Sequence, residues 1–243
     1  MTRNPLQGPT LRPHLLLGLL AILSSGCTTS AVESDFPVPV VDKLPLRVAI
    51  HFDESFSNYA YREEAEGEPS WVIMMGSANV SMFRRVFQGM FDETIELPEI
   101  VPLKFPVDDV DAVIVPAVES FELRVPQQPP VNPDGSPRAV EGIDVSTDYF
   151  TVWITYRMTM YDNQGREVAS WPVRAYGQTP GGVMDMFGPD EALARTTTVA
   201  MRDAGAYLSI YFEDEPRIRE WLREEGWLNR SIPRRGGSAI RAR

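Results

Sequence analysis

Cysteine is almost absent. Cys27 is the only one in 243 residues, so the chain forms no internal disulfide and no site built from several thiolates. Histidine is nearly as scarce, with His14 and His51 alone. Zinc sites made of several His or Cys ligands are therefore excluded. Long apolar runs are missing too. The stretch Leu15–Leu23 has nine residues, far short of the roughly 20 that span a bilayer. Positive charge is in deficit, with 23 basic against 34 acidic residues and a net charge of −11. Such a balance does not suit nucleic acid or wide contact with anionic headgroups.

What is present begins at the N-terminus. Arg3 and Arg12 precede the apolar run, and no acid occurs before Glu33. Ser25 and Gly26 then lead into Cys27. This order of positive, apolar and small residues is that of a secretory signal over residues 1–26. Around Cys27 it resembles the lipobox of bacterial lipoproteins. One departure is visible: that family favours Leu three places before the cysteine, where Ser24 stands here with Leu23 one further back. The resemblance implies removal of the signal and acylation of the Cys27 thiol and amine, with palmitate among the chains. Two or more acyl chains anchor stably where one does not. Thr28 after the cysteine, in place of Asp, implies the outer membrane and a body facing the periplasm. With the signal gone, 21 basic face 34 acidic residues, a net −13, and His51 is the only histidine left. A Cys–His dyad is then excluded.

Residues 27–45 hold Pro37, Pro39 and Pro45 with few aromatics, and read as a flexible tether. Leu46, Val48, Ile50 and Phe52 alternate with Arg47, Ala49 and His51, which predicts a first strand with His51 on its outer face. Gly76-Ser77 predicts a helix start with Ser77 as cap. Val80, Phe83, Phe87, Met90, Phe91 and Thr94 then share one helical face. Residues 96–109 read as a loop. Val113, Val115, Ala117, Phe121, Leu123 and Val125 predict one face of a second strand, with Glu119 an awkward member and Pro116 a sign of a bulge or edge. Five prolines between Pro126 and Pro137 predict a long loop.

The clearest strand is Tyr149–Tyr161, with Phe150, Val152, Ile154, Tyr156, Met158 and Met160 on one face. A four-residue loop, Asp162–Gly165, predicts a hairpin. It sets Tyr156 opposite Trp171, Ile154 opposite Val173, Met158 opposite Ala169, Trp153 opposite Arg174 and Thr151 opposite Tyr176. Pro172 marks the returning strand as an edge. Gly181-Gly182 lacks the residues of a phosphate loop. Pro189 with Asp190-Glu191 predicts a second helix, whose buried face is Leu193, Thr197, Ala200, Ala204, Leu208 and Tyr211. Ile218, Trp221 and Leu222 predict a short last helix after Pro216. Residues 229–243, with five arginines, read as a disordered tail.

These elements predict one α+β domain over residues 46–228: a two-layer sandwich with a four-stranded mixed sheet, order β-α-β-β-β-α, and two helices on one face. The first two strands are expected parallel around a crossover. With Cys27 in front, this order is similar to the lipopolysaccharide-assembly and YajG-type periplasmic lipoproteins. That resemblance carries no site residue other than Cys27.

The sequence points to a non-enzymatic accessory lipoprotein of the envelope. Its expected partners are the membrane, through acylated Cys27, and an envelope protein, with no cofactor, metal or nucleic acid. Tyr149, Trp153, Arg174 and Tyr176 stand on the sheet face away from the helices, where aromatics and Arg favour a protein interface. The alternative is a carrier for a lipid or small apolar molecule, its pocket lined by Met74, Met75, Met90, Met158, Met160, Met184 and Met186. Hydrolysis by acids such as Asp53, Glu54 and Asp111 is the least favoured reading.

Overall fold

The computed structural model describes residues 28–32, 35–63, 71–98, 103–125, 149–180 and 188–227. Cys27, the signal residues, the proline-rich stretch 126–137, Gly181-Gly182 and the arginine-rich tail lie outside them.

The strands are β1 (Thr28–Ala31), β2 (Leu44–His51), β3 (Ala60–Glu63), β4 (Trp71–Met74), β5 (Phe91–Leu97), β6 (Ala112–Arg124), β7 (Tyr149–Asp162) and β8 (Glu167–Pro180). The helices are α1 (Glu54–Ser57), α2 (Gly76–Met90), α3 (Pro189–Tyr211) and α4 (Pro216–Glu224). The class is α+β, as read, but the described strands form two sheets. One has five strands in the order β5-β2-β6-β7-β8, and the other three in the order β1-β4-β3. β2 runs parallel to β6, and β6, β7 and β8 form the expected antiparallel meander.

The fifth strand is a correction. Helix α2 ends at Met90, and β5 starts on the next residue with no loop between. Phe91 and Thr94, expected on the helical face, therefore lie in a strand that pairs parallel with β2. Phe83, Phe87 and Met90 do face the core. Ser77 is exposed and caps nothing; the helix begins on Gly76 with Met75 before it. A side chain at Gly76 would meet the Ser57 carbonyl oxygen at 1.9 Å, so glycine lets α2 start against α1.

Part of the stretch read as a tether packs on the body. Thr28–Ala31 pairs parallel with β4, and the Ser30 hydroxyl donates to the Asp190 carbonyl at 2.9 Å. Val32 and Phe36 are buried. Pro39 packs so closely on Gly89 of α2 that an added Cβ would sit 2.6 Å from its ring. Val32, Phe36 and Leu44 bury themselves despite the prolines, which need no donor in extended chain, while Val38 and Val40 stay exposed.

The core lies between the five-stranded sheet and the helices. Rings run through it in sequence. Phe56 stands against Tyr156 and Phe83, Phe83 against Phe87, Phe87 against Phe91, and Phe91 against Phe212, which meets Trp171. Tyr156 is fully buried and its hydroxyl donates to Asn79 Oδ1 at 2.9 Å. Burial pushes its phenol well above the ordinary range. Helix α3 turns Leu193, Thr197, Ala200, Ala204 and Leu208 inward, as its periodicity predicts. Tyr211 is the exception, at 48% exposed. Gly177 of β8 sits against this helix; a Cβ there would lie 2.2 Å from the Thr196 carbonyl oxygen.

The hairpin register differs from expectation by two residues. Tyr156 faces Val173, Ile154 faces Ala175, Met158 faces Trp171 and Trp153 faces Tyr176. Two shifts of one residue produce this. Asp162 N–H bonds to the Arg166 carbonyl, closing a three-residue loop with Gly165 at φ +89°. A bulge between Met160 and Tyr161 then adds the second residue. A two-residue slip keeps every side chain on its expected face, so the alternation alone does not reveal it. In β6 a bulge at Glu119 reverses the faces. Val113, Val115 and Ala117 therefore lie opposite Tyr161, Thr159 and Arg157, while Phe121 and Leu123 join the core side opposite Ile154 and Val152. Pro116 lies in this central strand, three residues before the bulge.

Candidate functional site

The sheet face away from the helices has two unlike halves. Over β5, β2 and the start of β6, residues 103–110 fold back as a strap. Leu103, Phe105, Val107 and Val110 pack on Ala49, Ile95, Leu97, Val113, Val115 and Tyr161. The Phe105 ring lies 5.4 Å from that of Tyr161 and close against Gly165 of the hairpin turn. Val107 N–H donates to the Asn163 carbonyl at 2.9 Å. His51, expected at the surface, is 6% exposed on this half. Its strand position is as read; the strap was hidden in a stretch with three prolines.

The other half, over β6, β7 and β8, has no such strap among the described residues. Trp153 is half-buried there, its ring 5.8 Å from that of Tyr176 on β8. From the β6 side, the Arg124 guanidinium lies 5.4 Å from the Trp153 ring centre. The cation beside Trp153 is thus Arg124, where Arg174 was expected. Arg174 faces Thr155, is exposed, and has no partner among the described residues. Tyr149 shares the face but pairs with Pro180 at the far end, four residues or about 13 Å along the strand from Trp153. Arg157 holds Glu119 at 2.7 Å. The half thus carries Arg124, Arg157 and Arg174 against Glu119 and Glu122, a positive surplus on an acidic chain.

This surface turns the corner of the sheet. β8 is an edge, as Pro172 suggests. Tyr176 N–H points away from β7 and donates to Asp203 Oδ2 of α3 at 3.0 Å. By the alternation of a β-strand, Pro172, Arg174, Gln178 and Pro180 also turn outward. Of these five positions, with Tyr176 included, two have no N–H and Asp203 takes that of Tyr176, so the edge is a poor template for another strand. One helical turn beyond Asp203, the Tyr207 ring meets that of Tyr211 at 4.8 Å, tilted by 39°. Ile210 beside them is 63% exposed and Tyr176 is 44% exposed. The helix periodicity had assigned Tyr211 to the core and was silent on the other two.

The remaining sequence candidates have structural work. Asp53 Oδ1 caps α1 through Phe56 N–H at 2.8 Å, and Asp111 Oδ2 accepts Arg47 N–H at 2.7 Å. Met75, Met90, Met158 and Met160 are buried among the core rings, while Met74 is 45% exposed; Met184 and Met186 lie outside the described residues. No group of three His, Cys, Asp or Glu able to hold a metal occurs among the described residues. No helix among them is long and apolar enough to cross a membrane.

No family model matches the chain, and no curated protein matches it significantly. Solved structures with a similar course include a Xanthomonas campestris protein of the family-model DUF330, at 13% identity and TM-score 0.42, over 82% of this chain and 98% of that one. A minor lipoprotein of Acinetobacter baumannii is similar at 9% identity and TM-score 0.37, over 72% and 94%. A hypothetical protein of Chlamydia trachomatis is similar at 9% identity and TM-score 0.35, over 70% and 96%.

Proposed function

We propose that the chain is a non-enzymatic accessory lipoprotein of a bacterial envelope, held to the outer membrane through acylated Cys27 and binding a protein partner on the open half of its sheet. The anchoring rests on residues 15–27. The binding role rests on one observation: among the described residues, a strap covers the aliphatic half of the outer face and none covers the half with Trp153, Tyr176 and Arg124. Aromatics and arginine dominate the energetics of protein interfaces. The surplus of arginine favours a partner that brings acidic side chains to Arg124 and Arg174.

The test is crosslinking in intact envelopes, followed by purification of the acylated protein. A defined partner band is expected, and Trp153→Ala should weaken it at unchanged protein level. Equal recovery with Trp153→Ala would remove the open half as the interface.

A further inference from the structure

A cleft of about 380 Å³ opens between β1, the end of β8 and the first turns of α3. Ala31, Thr179 and Thr198 line it together with Glu191, Arg195 and Arg202. Its volume suits a small ligand. Glu191 pairs with Arg195 at 2.9 Å. Arg202, two turns further along the same helix, has no hydrogen-bond or ion-pair partner among the described residues. Among the described residues the cleft is therefore cationic by one charge, on a chain of net −11.

Its position gives that charge a meaning. β1 begins on Thr28, the residue after Cys27, and Ala31 of the same strand lines the cleft. Ala31 is four positions after Cys27 in sequence, a reach of about 14 Å at most. The headgroup layer of a bilayer is about 5–8 Å deep on each side, and an arginine stem adds further reach. β1 is also fixed to the head of α3 by the Ser30–Asp190 hydrogen bond, so the cleft does not drift from the anchor point.

We propose that this cleft takes the anionic phosphate headgroup of a phospholipid in the leaflet that holds Cys27, with Arg202 as its cation. This rests on the anchoring reading above. Headgroup capture would orient the body on the membrane, with the N-terminal end of α3 against it.

The test reads amide hydrogen exchange over residues 191–202 in the full acylated protein, reconstituted in phosphatidylcholine vesicles with or without phosphatidylglycerol. Phosphatidylglycerol should slow exchange about fivefold, the effect of one basic side chain near an anionic leaflet. Arg202→Gln should abolish the difference and Arg202→Lys should keep part of it. Inorganic phosphate added to pure phosphatidylcholine vesicles is the second arm. Equal slowing by phosphate alone would overturn a lipid site in favour of a free-anion site. No change in either arm, or a full effect in Arg202→Gln, would overturn the cleft as a site. Flotation with pure phosphatidylcholine vesicles reports the anchor separately; loss of flotation would sink the anchoring and leave the phosphatidylglycerol comparison readable.

Discussion

Replacing Gly177 by alanine tests how closely α3 lies on β8. The new Cβ would stand 2.2 Å from the Thr196 carbonyl oxygen and 2.6 Å from the Ala200 nitrogen. Both are helix backbone, so no rotamer change relieves the overlap. Ordinary contact requires about 3.4 Å, which means the helix must retreat by about 1 Å, a gap that forfeits a quarter to a half of each contact's dispersion energy. Overpacking of this kind costs about 1–3 kcal/mol. For a domain of this size that is a fall of about 3–10 °C in melting temperature. Thermal unfolding followed by circular dichroism is the assay. Gly188→Ala is a separate probe of backbone strain, since that position has φ +84° and ψ 163° and nothing within 4 Å of an added Cβ; it should cost about 1–3 kcal/mol through backbone conformation alone. A Gly177→Ala variant that melts with the wild type would refute the close approach.

Tyr156→Phe should cost about 1–3 kcal/mol in urea unfolding, because Asn79 Oδ1 loses its donor and stays buried. Stability should also fall at alkaline pH. Burial, then the hydrogen bond and charge of Glu63, push Tyr61 up to about 12, and burial raises Tyr59 and Tyr156 as well. A raised phenol leaves stability intact below the ordinary 10.0 and removes it as pH climbs through the folded value. The decline should therefore open near 10, with Tyr156 contributing up to about 1.4 kcal/mol per pH unit. A flat profile to pH 12, or an equal slope in Tyr156→Phe, would contradict this. Asp203→Ala frees the Tyr176 N–H on the β8 edge and should shift the protein toward larger species with rising concentration in light scattering; unchanged behaviour would show the edge guarded by its prolines alone.

Much of the fold was legible because periodicity survives translation into structure. The inward residues of α3 and the faces of β7 follow from spacing, and Pro172 marked the edge strand. What failed were events that leave periodicity intact or break it only once. The loop closure at Asp162–Arg166 and the bulge beside Met160 together slip the hairpin by two, which alternation cannot detect. The bulge at Glu119 reverses β6, so a run that looked like one face is two. β5 follows α2 without a turn residue to announce it. The strap over Ala49 and Val113 and the packing of Val32 and Phe36 depend on contacts far apart in sequence. At the open face, the residue types were readable and the pairing was not: Trp153 meets Tyr176 and Arg124, and the ridge of Tyr207, Ile210 and Tyr211 appears only once α3 is docked.

The proposed anchor at Cys27 places the body directly on the membrane, because β1 begins on the next residue. Neutron reflectometry of the acylated protein on a supported bilayer measures this. The account predicts a protein layer abutting the headgroups with no water between. A free 18-residue segment at 28–45 would span about 23 Å on average, and a hydrated gap of about that depth would contradict the account.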